Sequence, residues 1–417
     1  MATVPSVTEL TIEVDPAEAG FDADRLARID AHFRRYVDEG LLPGWQLALT
    51  RGGKRVHVAR YGHRDVENGL PVEDDTVFRI YSMTKPVTSV AAMMLYEEGA
   101  FELKDPVERW IPSFADARVF TGGTAENPTT APATGPVRIW HLFTHTAGLT
   151  YGFHHVHATD ELYRNAGFDF GPPRGYDLAA CTDAWATLPL VNEPGARFNY
   201  SHATDVLGRL VEVIAGVPFD EFLTERVLRP LGMHDTAFWA DGDKAERLGA
   251  LYVPHGKHRE ILRYDPIGKA ALRPPSYPSG GGGLVSTAHD YLRFCEMLRR
   301  GGELDGVRLL GPRTVDFMTT NHLPGGVDLE HYGQSTFSET AYDGVGFGLG
   351  FAVVIDPATA KVPSSIGEFS WGGAASTGFW VDPVEDITAV FLTQLLPSST
   401  HNLRAQFKQL VKQALID

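Results

Sequence analysis

The sequence predicts an α/β (α+β) protein: one antiparallel sheet formed from both chain ends and flanked by helices, with a mostly helical domain inserted between them. Three observations predict it. Helix and strand patterns open the chain, strand and helix patterns close it, and the middle carries helical patterns separated by Gly/Pro-rich stretches. The corresponding partition is 1–80 with 340–417 for the sheet domain, and 81–339 for the helical domain and its cleft loops. At 417 residues and 43% apolar, the chain is long enough to bury a large core.

The elements follow in order. Residues 22–39 place Leu26, Ile29, Phe33 and Tyr36 at helical spacing behind Asp22 or Asp24 as cap. WQLALT, the turn RGGK and RVHVARYG then make two β-prone runs around a Gly-Gly, a hairpin signal. Helical patterns at 83–98, 203–215 and 288–300 alternate with Gly/Pro-rich stretches such as 121–136 and 322–346. Loops this long in a compact protein are usually functional, and those at 121–180 and 322–346 are expected to shape a cleft. FGLGFAVVID, ASTGFWVD and ITAVFLTQL read as a meander. Residues 399–415 read as a closing helix with Leu403, Phe407, Leu410, Val411 and Ala414 on one face. No internal repeat is present.

Charge and cysteine usage exclude several classes. The net charge of −16, from 37 basic and 53 acidic residues, repels phosphate backbones and anionic lipid, so neither nucleic acid nor a membrane is an expected partner. The first residues lack a charged segment followed by an apolar run, and no window is long and apolar enough to span a bilayer. Cys181 and Cys295 make neither a disulfide framework nor a metal knuckle, which makes the cytoplasm the expected location.

The candidate chemistry starts in RIYSMTKPVTSV, where Ser82 stands three residues before Lys85. Pro86 is tolerated only in a first helical turn, so a helix should begin at Ser82 or Met83. That puts Ser82 at the positive helix end with its own N–H free, and Lys85 one turn on along the same face. Val90, Ala91, Met94 and Leu95 would bury the helix, and a buried lysine loses solvation, drops its pKa and can act as a base. With sixteen Ser and nine Lys in the chain, chance alone supplies about 0.35 such pairs. Taken alone, the segment reads also as a helix-capping Ser beside a snorkelling Lys.

Two further stretches bear on it. PGARFNYSHATDVLGRLVEVIAG sets Tyr200 just before a helix carrying Val206, Leu210 and Ile214 and stopped by Gly216. A Tyr there is either a half-buried core residue or a proton carrier between a serine oxygen and a leaving group, with Lys85 as the cation that stabilises its phenolate. SWGGAASTGFW opens a β-run on a Gly-Gly, which marks either a bulge or a close approach by ligand or backbone. Edge-strand N–H groups here are suited to be a second oxyanion donor beside that of Ser82.

Together these stretches resemble the serine β-lactamase and penicillin-binding-protein superfamily, and most closely its class C-like branch with the family VIII carboxylesterases. The superfamily's Ser-x-x-Lys, Tyr-x-Asn and Lys-Thr-Gly occur in this order as Ser82-Met83-Thr84-Lys85, Tyr200-Ser201-His202 and Trp371-Gly372-Gly373. WHLFTHTAGLTYG (140–152) looks like its Leu-x-x-His-Thr-Ser-Gly-Leu segment, and PSGGGGLVSTAHDYLRF (278–294) like its later Gly-rich turn and helix. The likeness spans residues 22–415. It implies Ser82 as the acylated nucleophile, Lys85 and Tyr200 as the proton-transfer pair with the base unassigned between them, and the N–H groups of Ser82 and Ala374 as the oxyanion hole. His202, Trp371, Gly372 and Gly373 are then the substrate-binding positions.

Trp371 stands where β-lactamases and peptidases carry a carboxylate-holding lysine, and His202 where they carry asparagine. An aromatic ring in place of the cation suits a neutral, partly apolar acyl or alcohol group, and Trp-Gly-Gly is the form of the esterase branch. The expectation is a serine carboxylesterase for short-chain or small aromatic esters, working through an acyl-enzyme, with a small-molecule ester as its partner. An arginine from elsewhere in the fold is able to restore anion binding and weak lactamase activity. The alternatives are a β-lactamase or D-alanyl peptidase, an amide hydrolase, an acyltransferase and a non-hydrolytic binding module.

Three signals are set aside. FHHVHATDE holds three His in four residues without matching Cys, Asp or Glu spacing, and the resembling family needs no metal, so no metal or other cofactor is expected. Gly280–Gly283 lacks the Gly-Lys-Ser/Thr of a phosphate loop. No Gly-x-Ser-x-Gly elbow offers a rival nucleophile.

Overall fold

Asp22 is the cap that starts the first helix. Its carboxylate accepts the N–H of Arg25, and α1 runs Ala23–Asp38 with Leu26, Ile29 and Phe33 buried. The computed structural model describes residues 10–333 and 342–417, so the expected 339/340 boundary and part of the 322–346 loop lie outside the described residues.

Strands β1 (Gly44–Arg51) and β2 (Lys54–Asp65) form the hairpin, turning through Gly52 and Gly53 at φ +60° and +77°. Only glycine takes two successive left-handed positions without steric cost, and that geometry matches the strand twist. A short β3 (Leu70–Pro71) follows. In the middle of the chain, α2 (Thr84–Glu97), α3 (Ala203–Ala215) and α4 (Ala288–Arg299) match the expected helices within a residue or so. Every residue of α2 from Thr84 to Leu95 is buried, the signature of a central helix rather than an amphipathic surface one.

The chain then returns to the sheet as β4 (Val345–Phe347), β5 (Ala352–Val354), β6 (Phe369–Gly372), β7 (Gly378–Asp382) and β8 (Ile387–Thr393), and closes with α5 (Leu403–Lys412). The eight strands lie in the order β4-β5-β6-β7-β8-β1-β2-β3, each pair antiparallel. The two chain ends thus meet in the sheet, with Leu47 opposite Phe391. Strand alternation divides the core in two. Leu47, Leu49 and Phe391 pack under α1 and α5 with Phe33 and Phe407, whereas Ala48, Val390 and Leu392 face α2 and the helical region.

Two expectations change. The stretch 121–136 is not loop throughout: Arg118–Gly123 pairs with Pro128–Pro132 as a ribbon across the turn, because Val119, Phe120 and Thr121 on one arm and Thr129 and Thr130 on the other are β-prone. The Gly-Gly of SWGG does not open a strand. Trp371 and Gly372 close β6, and β7 begins only at Gly378. Nor is β6 an edge strand, since it lies between β5 and β7. Its pairing with β5 nevertheless stops at Ser370, which leaves one side of Trp371 and Gly372 unpaired.

Candidate active site

Ser82 lies in a 3-10 turn, Tyr81–Met83, that runs directly into α2. The α-helix proper therefore starts two residues later than Ser82, with Pro86 still inside its first turn. Tyr81 precedes the serine at φ +42°, a left-handed conformation uncommon for a bulky residue. Strain of this kind persists only where the surroundings hold it, and it collects at functional turns. The turn is clasped from above by the β6–β7 hairpin: a Cβ on Gly373 would stand 2.2 Å from the carbonyl oxygen of Ile80. Among the described residues, the N–H groups of Ser82 and Ala374 have no hydrogen-bond acceptor.

One turn on, Lys85 is 2% exposed. Its Nζ lies 3.4 Å from Ser82 Oγ, 3.1 Å from Tyr151 Oη and 2.6 Å from the carbonyl oxygen of Gly281. It also sits 4.4 Å from the centre of the Tyr200 ring. Burial lowers the Lys85 pKa to about 7, against the opposing pull of the Asp205 carboxylate.

Tyr200 is held in front of α3 by the 144–151 turn. The Asn199 N–H donates to His145 O at 2.8 Å, and the Asn199 side chain donates to Leu149 O at 2.6 Å. The Tyr200 hydroxyl hydrogen-bonds with that of Ser82 and receives the Trp371 Nε1–H at 3.3 Å. Burial raises its pKa above the usual phenol value, and these two hydrogen bonds pull the other way. Trp371, in the position of the family's lysine, packs on Tyr200 at 5.5 Å between ring centres and stacks with Tyr342 at 6.3 Å. An arginine does stand against this segment: Arg404 packs on the hairpin, and its charge favours the Tyr200 phenolate. It donates to Gly373 O at 2.7 Å and Thr377 O at 3.0 Å, in the space that Cβ atoms on Gly372 and Gly378 would need.

Ser82, Lys85, Tyr200 and the Trp371–Gly373 segment thus converge. His202 does not join them by hydrogen bonds. Its Nδ1 pairs with Asp205 Oδ2 at 3.2 Å, and its ring stacks on Trp185 at 4.1 Å. Of the three clustered histidines, His154 is 3.5 Å from Thr150 Oγ1 and His157 caps the helix Ala158–Asn165. Burial depresses the pKa values of His145, His154 and His202, the second to about 4, so these imidazoles around Lys85 are neutral at pH 7.

Sequence reasoning missed Tyr151 and Asp205. Tyr151 was within reach, because it follows Leu149-Thr150 at the end of the segment that resembles the family's Leu-x-x-His-Thr-Ser-Gly-Leu. Asp205 carried no signal, since an acidic residue in a first helical turn is ordinary.

The chain matches the family described as Beta-lactamase over residues 29–413. It is 40% identical over 374 residues to Protein Rv1367c of Mycobacterium tuberculosis, covering 88% of this chain and 89% of that one. It is 32% identical over 401 residues to Esterase EstB of Burkholderia gladioli, covering 91% and 93%. Among solved structures, EstCE1, described as a hydrolase with promiscuous acyltransferase activity, superposes with a TM-score of 0.79 at 29% identity, covering 93% of this chain and 98% of that one.

Proposed function

The chain belongs to the Beta-lactamase family and is a serine hydrolase of that fold, and from this premise we propose that it is a family VIII-like carboxylesterase acylated on Ser82. The observation that carries the reading is the pairing of a buried Lys85, poised at about pH 7 and 3.4 Å from Ser82 Oγ, with a tryptophan where a carboxylate-binding lysine would stand.

Neutral Lys85 takes the Ser82 proton as Oγ attacks the ester carbonyl carbon. The N–H groups of Ser82 and Ala374 receive the oxyanion. Tyr200 hands its phenolic proton to the departing alkoxide and regains one from the Lys85 ammonium. Of the two candidate bases Lys85 is favoured, because burial pushes the Tyr200 phenol up and leaves it protonated. Water then attacks the acyl carbon, its proton returns to Ser82 Oγ along the same pair, and the acid leaves.

A neutral substrate follows from the cleft chemistry. Trp371, Gly372 and Gly373 line the acyl side, the Arg404 guanidinium behind them is engaged by the Gly373 and Thr377 carbonyls, and His202 acts through Asp205 rather than by touching the ester. We include short-chain and small aromatic esters as substrates, a cytoplasmic location in keeping with two free buried thiols, and no nucleic-acid or membrane partner, in keeping with the −16 charge. Acyl transfer to an alcohol is the second reading, favoured by the activity described for EstCE1. The test is a panel of p-nitrophenyl esters, nitrocefin and an anilide, with and without an acceptor alcohol, on the protein and on Ser82→Ala. Ester turnover that dominates and vanishes in Ser82→Ala is expected; lactam turnover above ester turnover would reverse the substrate assignment.

A further inference from the structure

The glycine run 280–283 is no phosphate loop, yet two of its carbonyls grip α2 at the reacting end. Gly281 O receives Lys85 Nζ at 2.6 Å, and Gly280 O receives Thr88 Oγ1, one turn further, at 2.8 Å. What fixes that loop is a carboxylate from another helix. Asp205, 1% exposed in the first turn of α3, accepts the Gly281 N–H at 2.9 Å and the Ser279 hydroxyl at 2.6 Å on Oδ1, and its Oδ2 faces His202 Nδ1 at 3.2 Å. A carboxylate is placed so deep only when its oxygens are satisfied. The contact also explains the glycine: a Cβ on Gly281 would stand 2.6 Å from Asp205 Oδ2, and one on Gly280 would stand 2.9 Å from Thr204 O.

We infer that Asp205 is a positioning residue for the reaction, which aims Lys85 at Ser82 through the Gly281 backbone that it pins. The inference rests on the Ser82 and Lys85 roles proposed above. A carbonyl oxygen only accepts, so Gly281 O must receive an N–H of Lys85 whatever its protonation state. With a second N–H given to Tyr151 Oη, the neutral amine has its lone pair for the third neighbour, Ser82 Oγ. The carboxylate adds a field that favours the ammonium and opposes desolvation. The other titratable groups facing this pair are Tyr151, Tyr200, His145, His154, His202, Tyr277 and Cys181.

Asp205→Asn tests it, since the amide oxygen still accepts the Gly281 N–H while the charge is gone. Two readouts are taken: the acid limb of kcat/KM against pH for a p-nitrophenyl ester, and the titration of Lys85 followed by NMR of its labelled Cε. Both should move to lower pH by about one unit, as expected for loss of a nearby opposite charge. Gly281→Ala, which displaces the carbonyl acceptor, should move the limb the same way and lower kcat more than it raises KM. A purely structural Asp205 would cost stability and leave the titration where it is. An unmoved Lys85 titration in folded Asp205→Asn overturns the inference, and if that variant does not fold, an unmoved limb in Gly281→Ala does so. Ser82→Ala, assayed alongside, separates the two claims: activity surviving there fails the proposed function, whatever Lys85 does.

Discussion

The indole N–H of Trp371 donates to the hydroxyl oxygen of Tyr200 across 3.3 Å. A neutral donor therefore stands beside this tyrosine, at the sequence position where the resembling lactamases and peptidases carry a lysine. Trp371→Phe keeps the ring and removes the donor. Loss of one hydrogen bond predicts a roughly five- to tenfold lower kcat for short esters, with KM little changed. Trp371→Lys should raise nitrocefin turnover relative to ester turnover; steady-state assays on both substrates check the pair.

The pH dependence follows from Lys85. Its pKa is lowered by burial to about 7, and it acts as a base only when deprotonated. The rate should therefore rise with pH through about 7 and level off above. Lys85→Arg, which stays protonated at any assay pH, should lose on the order of a thousandfold in kcat without an acid limb near neutrality. A pH–rate profile of the parent and the variant measures both.

Gly373→Ala should inactivate the protein, because the new Cβ would stand 2.2 Å from Ile80 O and 2.3 Å from Thr377 Oγ1, prising the hairpin from the Ser82 turn. Gly135→Ala is the matched control, with nothing within 4 Å of the added carbon. Circular dichroism and ester turnover on the two variants should separate them.

The layer beneath α1 and α5 carries stability rather than chemistry. Phe33 is fully buried, with ring centres 4.7 Å from Phe391 and 6.2 Å from Phe407. Phe33→Ala should cost about 3–5 kcal/mol in denaturant unfolding, while the folded fraction keeps its kcat.

Local patterning made much of the fold legible. Asp22 capping α1, Gly52-Gly53 turning the first hairpin, and apolar spacing in α3 and α4 are decisions a segment makes by itself. The junction of β1 with β8 is not such a decision, since strands some 340 positions apart are paired by the fold as a whole and by nothing that either segment carries alone. The same limit applies to the site. Ser82 and Lys85 are three apart and readable, as is Tyr200 by its motif, but the Gly281 carbonyl and Asp205 reach Lys85 only through tertiary packing. For His202 the motif suggests a cleft position, and packing adds what the motif does not carry: its ring stacks on Trp185, meets the Tyr151 ring at 4.3 Å and hydrogen-bonds with Asp205.

The most direct test of the central claim is to quench a p-nitrophenyl ester reaction in its first turnovers with acid and locate the acyl group by peptide mass spectrometry. The account predicts one acyl group, on the peptide that contains Ser82, and none in Ser82→Ala. An acyl group on another residue, or full ester turnover by Ser82→Ala, would contradict it.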